Sequence, residues 1–160
     1  MDLHIYRANL ADVRDTAGII DVLNSYAADP KGGGRPLSAD VKGRLIAVLR
    51  EHPTTLVLLA VVDGEPVGVA VCFLGISTFR ARPLLNVHDL AVLPEFRGRG
   101  VGRALLGAVE DHARHRGCCK LTLEVQDDNT PARTLYQRFG FEDVVYGDSA
   151  ATRFLAKPLD

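Results

Sequence analysis

Between Leu90 and Arg103 the chain reads Leu-Ala-Val-Leu-Pro-Glu-Phe-Arg-Gly-Arg-Gly-Val-Gly-Arg, with Gly98, Gly100 and Gly102 alternating with other residues. Glycines at this spacing, between an apolar run and an amphipathic one, let several backbone N–H groups converge at a helix start, and that makes an anion site. A Cβ would obstruct both the backbone conformation and the close approach of phosphate oxygens. Arg97, Arg99 and Arg103 add positive charge, solvated surface arginines being the plainer reading. Two phosphate-binding patterns are excluded. A dinucleotide fingerprint needs Gly or Ala as its last residue, whereas counting from Gly98 gives Arg103 and from Gly100 gives Leu105. A Walker loop needs Gly-Lys-Ser/Thr, which is absent. The second glycine cluster, Gly32 to Gly34 between Lys31 and Arg35, lacks it too and reads as a mobile connection.

Other reactive residues point to less. Cys72, Cys118 and Cys119 form an odd set without a C-x-x-C pair and read as reduced thiols. His112 and His115 fall at an arginine-rich helix end, where they offset the C-terminal dipole rather than bind metal. No metal is expected.

The elements that must position these residues follow from periodicity. Leu3–Ala8 alternates as a strand. Ile19, Leu23 and Tyr26 share a helical stripe that stops at Asp29-Pro30. Ser38 caps a second helix whose inward face is Val41, Leu45, Val48 and Leu49. Thr54–Val62 and Pro66–Phe79 are strands of a hairpin turned at Asp63-Gly64. A strand from Leu84 to Leu93 ends at Pro94, and a helix from Val101 to Arg116 buries Val101, Leu105, Val109 and Ala113 and closes at Gly117. Lys120–Gln126 reads as a strand with Leu121, Leu123 and Val125 on one face and Thr122, Glu124 and Gln126 on the other. Thr130-Pro131 opens a short helix ending at Phe139-Gly140, and strands are expected near Glu142–Tyr146 and Thr152–Lys157. The pattern is α+β.

With 160 residues, 47% of them hydrophobic and 24% charged, the chain suits one globular domain spanning 1–160 rather than a disordered tail or two independent domains. A net charge of -1 supplies no field to draw the protein onto nucleic acid or an anionic membrane. The apolar stretch Val67–Ile76 is far short of the roughly 18 residues a membrane span requires, and Met1-Asp2 does not open a signal peptide. The sequence reads as soluble and cytoplasmic. A homodimer is left open.

Arg97-x-x-Gly100-x-Gly102 after a strand looks like the pyrophosphate-binding motif of the GCN5-related N-acetyltransferases, the GNAT superfamily. A second block, Leu121-x-Leu123-Glu124-Val125, then Asn129-x-x-Ala132, then Leu135-Tyr136-x-x-x-Gly140-Phe141, resembles the fifth strand and following helix of the same family. Order and spacing fit over roughly residues 55 to 145. The resemblance implies a mixed, mostly antiparallel sheet of about seven strands, splayed between the fourth and fifth and flanked by about four helices. Acetyl-CoA would lie in the gap as acetyl donor. Backbone at Leu90, Ala91 and Val92 would pair with the pantetheine arm, and Arg97, Gly98, Arg99, Gly100, Val101, Gly102 and Arg103 would wrap the pyrophosphate. Asn129 corresponds to an asparagine near the pantetheine, and Tyr136 to a tyrosine whose hydroxyl lies close to the cofactor sulfur.

That chemistry is attack of a neutral amine on a thioester, so an alkylammonium with a pKa near 10.4, the usual lysine value, must first lose a proton. Glu124 is the first candidate base, resembling the glutamate of ribosomal-protein N-terminal acetyltransferases. His88-Asp89 is the second, aligned with a Glu-Asp pair in polyamine and glucosamine-phosphate acetyltransferases. A water relay is the third route. The resemblance places the acceptor cleft at Ala27–Ser38 and Ile76–Leu85. A primary amine acceptor follows, with a small cationic one mildly favoured by the Leu84–Asp89 strand and disfavoured by Arg80 and Arg82. The rivals are a protein or peptide N-terminus, and a non-catalytic acyl-CoA-binding module.

Overall fold

Leu3–Arg7, Thr55–Val62 and Glu65–Ser77 become adjacent strands in the computed structural model, which describes residues 1–147 and 150–159. The chain divides into two compact units, Met1–Leu123 and Glu124–Asp160. The first runs β1 (Leu3–Arg7), α1 (Val13–Ala28), α2 (Ala39–Glu51), β2 (Thr55–Val62), β3 (Glu65–Ser77), β4 (Arg82–Val92), a 3-10 turn (Pro94–Phe96), α3 (Val101–His115) and β5 (Leu121–Leu123). The sheet order is β1-β2-β3-β4-β5, antiparallel except for the parallel β4–β5 pair.

Double-sided burial explains the layering. On β2, Leu56, Leu58, Ala60 and Val62 enter one core cluster, while Val57 and Leu59 enter another. The first cluster holds Val101, Leu105, Val109 and Ala113 of α3, and the second holds Ile19, Val22 and Leu23 of α1 with Leu49 of α2. A strand apolar on both faces needs a helix on each, and burying each of these larger side chains contributes about 1.5–3 kcal/mol relative to exposure. The α2 stripe is rotated from its expected face: Leu45, Ile46 and Leu49 pack inward, whereas Val41 and Val48 are exposed. A stripe on a short helix tolerates either rotation until a neighbouring layer selects one.

Asp63 and Gly64 both have positive φ, 51° and 90°, as a two-residue turn joining right-twisted strands requires. The Gly32–Gly34 connection is tied down rather than mobile. The N–H groups of all three glycines donate to the Asp29 carbonyl at 2.8–3.1 Å, and Arg35 N–H donates to the Ala27 carbonyl. A Cβ on Gly32 would stand 1.8 Å from the Tyr26 carbonyl oxygen, so only glycine fits that approach.

The second unit contains α4 (Thr130–Phe139) and a ladder of β6 (Val145–Tyr146) with β7 (Ala150–Ala151). The α+β class stands, and among the described residues there are four α-helices and a main sheet of five strands, not about seven, because β6 and β7 pair with each other. The expected strand at Thr152–Lys157 is not formed: Thr152 N–H still donates to the Val144 carbonyl, but Phe154 and Leu155 beyond it are exposed. Alternation alone does not supply the partner that a strand's backbone needs.

Candidate active site

The geometry of the site begins with a bulge. Val71 pairs with Asp89 and Cys72 with Val87, leaving His88 as an extra residue in β4. One extra residue exchanges the faces. Before it, Leu85 and Val87 join the α3-side core; after it, Leu90 and Val92 pack on that side while Ala91 joins the α1-side core.

β5 accompanies β4 only over Leu85–Val87 and ends at Leu123. Leu93 N–H donates to the Val67 carbonyl of β3, so by the alternation of an antiparallel ladder Ala91 and Asp89 also address β3. Leu90 and Val92 turn their backbone groups to the opposite edge, past the end of the β5 pairing. Of the three residues expected to meet a pantetheine arm, this alternation leaves Leu90 and Val92 on the open edge. Ala91 is spent on β3.

That edge leads into the glycine loop. Gly98 and Gly100 have φ of 72° and 85°, and a Cβ built on either meets no heavy atom within 4 Å. Gly100 is the N-cap of α3 and no side chain caps the helix. The first-turn N–H groups of Val101, Gly102 and Arg103 therefore have no intrahelical acceptor. Gly102 is helical and not left-handed, so its need for glycine is not conformational. Exposed Arg99 lies over the Phe96 ring at 5.6 Å, and Arg103 is exposed in the first turn. An uncapped helix start behind two left-handed glycines, flanked by arginines, fits a phosphate group.

Arg97 does something the sequence did not suggest. Its Nε donates to the Val92 carbonyl at 3.0 Å and its Nη1 to Asp29 Oδ2 at 2.9 Å. Asp29 Oδ1 accepts from Lys31 N–H at 2.9 Å, and this bond, followed by the Arg97 guanidinium, holds the Asp29 carboxyl below the usual carboxylate range. Asp29 was missed as a site residue, although an acidic residue at a helix C-terminus opposes the dipole and signals a partner elsewhere.

His88 is exposed, and its ring meets Phe73 edge-on at 5.6 Å, while Phe73 meets His52 at 4.8 Å. Asp89 follows it on the α1 side. Burial raises the Asp89 pKa, and His88 pulls the other way. Its charge in turn raises the Tyr26 hydroxyl pKa, after burial, and helps push buried Cys72 up to about 12. Cys72 is therefore a protonated, inert thiol at neutral pH. A row of rings separated in sequence carries no local signal, which is why Phe73 and His52 are not legible as neighbours of His88 in the sequence.

A raised carboxyl pKa means that the folded state holds the proton more tightly than the unfolded one, so Asp89 costs stability as pH rises through its folded pKa. Asp89→Asn is expected to melt a few degrees above the wild type at pH 7, at about 2–4 °C per kcal/mol. The gap should close near pH 3.5, below the ordinary aspartate value of about 3.9. Melting curves at the two pH values check this; an Asn variant no more stable at pH 7 would mean that Asp89 is fully compensated.

The remaining candidates lie in the second unit. Asn129 is the N-cap of α4, its Oδ1 accepting from Ala132 N–H at 3.4 Å. Tyr136 is half-buried, with its ring edge-on to Phe141 at 5.8 Å, and Phe141 N–H donates to the Tyr136 carbonyl at 2.9 Å. Glu124 is exposed and lies just beyond β5, so the alternation expected to set its direction stops one residue short of it. Val125, expected beside Leu121 and Leu123 in the core, is 38% exposed. Among the described residues no cluster of His, Cys, Asp or Glu is arranged to hold a metal ion.

The fourth strand of the sheet outruns its pairing with the fifth and leads into a glycine-rich helix start. The profile of the acetyltransferase (GNAT) family matches residues 20–141, and the chain belongs to that family and is an acetyltransferase. An uncharacterized N-acetyltransferase, YhfO of Bacillus subtilis (strain 168), is 31% identical over 139 residues, 83% of this chain and 87% of its own. A ribosomal-protein-alanine N-acetyltransferase from Brucella melitensis biovar Abortus 2308 superposes with a TM-score of 0.70 at 24% identity, covering 96% of this chain and 100% of that one. An aminoglycoside acetyltransferase from an uncultured soil metagenomic sample, solved with sisomicin, gives 0.73 at 18% identity, covering 92% and 95%.

Proposed function

We propose that the chain works as one acetyl-CoA-dependent N-acetyltransferase domain, transferring the acetyl group to a primary amine by direct attack in a ternary complex. The observation that carries this reading is the open edge of β4 at Leu90 and Val92 leading into the uncapped, glycine-led start of α3. The family profile spans both compact units, which supports a single working domain.

When bound, acetyl-CoA supplies an acetyl group activated as a thioester. The loop from Gly98 to Arg103 holds the pyrophosphate with backbone N–H groups and the charges of Arg99 and Arg103. Leu90 and the Val92 N–H would hold the pantetheine amides through β4's free edge, as an added strand would, the Val92 carbonyl being taken by Arg97 Nε. By the family resemblance Tyr136 would supply, from its phenolic oxygen, the proton that a departing thiolate requires, and Asn129 caps the helix that carries it. For the amine proton, the His88-Asp89 pair stands ahead of Glu124. An exposed imidazole beside a partly buried carboxyl group can take up a proton from the amine, whereas Glu124 lies on no strand that would aim it.

A small cationic amine is favoured as acceptor because the Asp89 carboxylate, Tyr26 and the Phe73 ring offer charge and aromatic surface on the α1 side. Arg82 no longer argues against it. Its guanidinium donates to the Gly117 and Cys118 carbonyls at the end of α3. The two enzymes of different acceptor class sharing this fold show that architecture alone does not select the acceptor.

Coenzyme A release from acetyl-CoA, measured with a panel of amines, aminoglycosides, amino acids and peptides, tests the reading. Turnover with a cationic amine is expected. Turnover with peptides only would move the acceptor to a protein N-terminus, and acetyl-CoA binding without turnover would make the chain a binding module. With the best acceptor, His88→Gln should lower the rate and remove the acidic limb of the wild-type pH profile. If Glu124→Gln alone moves that limb, the base is Glu124; wild-type profiles in both variants leave a water relay.

A further inference from the structure

We infer that Asp29 is a positioning residue that clamps Arg97 and thereby joins the α1–α2 connection to the pyrophosphate loop, an inference that rests on the acetyl-CoA reading above. Asp29 holds the connection on one side through four bonds. Its carbonyl accepts the N–H groups of Gly32, Gly33 and Gly34, and its Oδ1 accepts that of Lys31. On the other side Oδ2 takes the Arg97 guanidinium, whose Nε is fixed on Val92 at the end of β4. The Asp29 side chain is only 20% exposed, and the Arg97 side chain 46%, so the pair is partly shielded from solvent.

A charge consequence follows. Arg97 opens the anion loop in sequence, yet its charge is balanced by Asp29, so its task is to hold the loop and not to attract the pyrophosphate. Removing the carboxylate then has two effects of opposite sign. It leaves an unbalanced guanidinium within a Debye length of the phosphate site, which favours an anion, and it releases the connection from β4, which loosens it. A purely structural role would weaken both properties together.

The test uses isothermal calorimetry with acetyl-CoA and hydrogen exchange over residues 29–35, on the full chain. Asp29→Asn is expected to tighten acetyl-CoA binding about three- to tenfold while exchange in the connection rises about tenfold or more. Asp29→Glu should return both toward wild type. Arg97→Gln leaves Asp29 and its local bonds in place, yet should also speed exchange over 29–35. Unchanged or weaker binding in folded Asp29→Asn, or unchanged exchange in Arg97→Gln, would each overturn the clamp. Should Asp29→Asn not fold, the Arg97→Gln exchange decides. A wild-type chain that does not bind acetyl-CoA would overturn the functional reading instead, with the clamp still judged by exchange.

Discussion

Gly100→Glu is expected to lower acetyl-CoA affinity by about a hundredfold or more while the chain stays folded, a loss of about 2.7 kcal/mol. Gly100 caps α3 with φ of 85°, a conformation that costs an L residue about 1–2 kcal/mol. A Cβ there meets no heavy atom, so the fold itself has room for a side chain. The damage falls on the anion. A carboxylate at the N-cap would accept the very N–H groups that a phosphate needs and set a like charge beside it. Gly100→Asn separates the causes, since asparagine tolerates the left-handed conformation and carries no charge; it should lose less affinity than the glutamate variant. Calorimetry with acetyl-CoA, with a melting curve for each variant, decides. A folded Gly100→Glu protein with wild-type affinity would remove the pyrophosphate site from this loop.

Tyr136→Phe should leave acetyl-CoA affinity near wild type and lower turnover by about tenfold to ten-thousandfold, the range for loss of a general acid. The substitution is selective because the ring contact with Phe141 and the Phe141 N–H bond to the Tyr136 carbonyl survive it. Single-turnover rates with a saturating acceptor isolate the chemical step from product release. An unchanged rate would make Tyr136 a packing residue of the aromatic group it forms with Phe139 and Phe141, whose rings stack at 6.3 Å.

Much of this was legible in the residues. The Asp63-Gly64 turn, the Ser38 cap, the buried stripe Val101, Leu105, Val109 and Ala113 of α3 and the left-handed Gly117 and Gly140 closing their helices all follow from local rules of φ, capping and period. The left-handed Gly98 and Gly100 ahead of α3 were readable for the same reason, since glycine spacing announces a backbone conformation that consecutive residues set.

Other features depend on partners far away in the chain. The His88 bulge reverses which face of β4 carries odd-numbered residues, and nothing in an apolar run records that reversal, because it is set by pairing with Val71 and Cys72 of β3. The early end of β5 decides that Leu90 and Val92 meet no strand, and leaves Glu124 without the alternation that would have aimed it. Arg97 looked like an anion ligand from its neighbours in sequence, but its guanidinium is taken by a carboxylate at the other end of α1. The sequence by itself determined the family motifs, the helix ends and the residue types able to bind a phosphate. Tertiary structure alone decided which strand edge stays open, which face Asp89 occupies and where the charge of Arg97 is spent, since strand register and ion pairing are properties of two segments and are encoded in neither one alone.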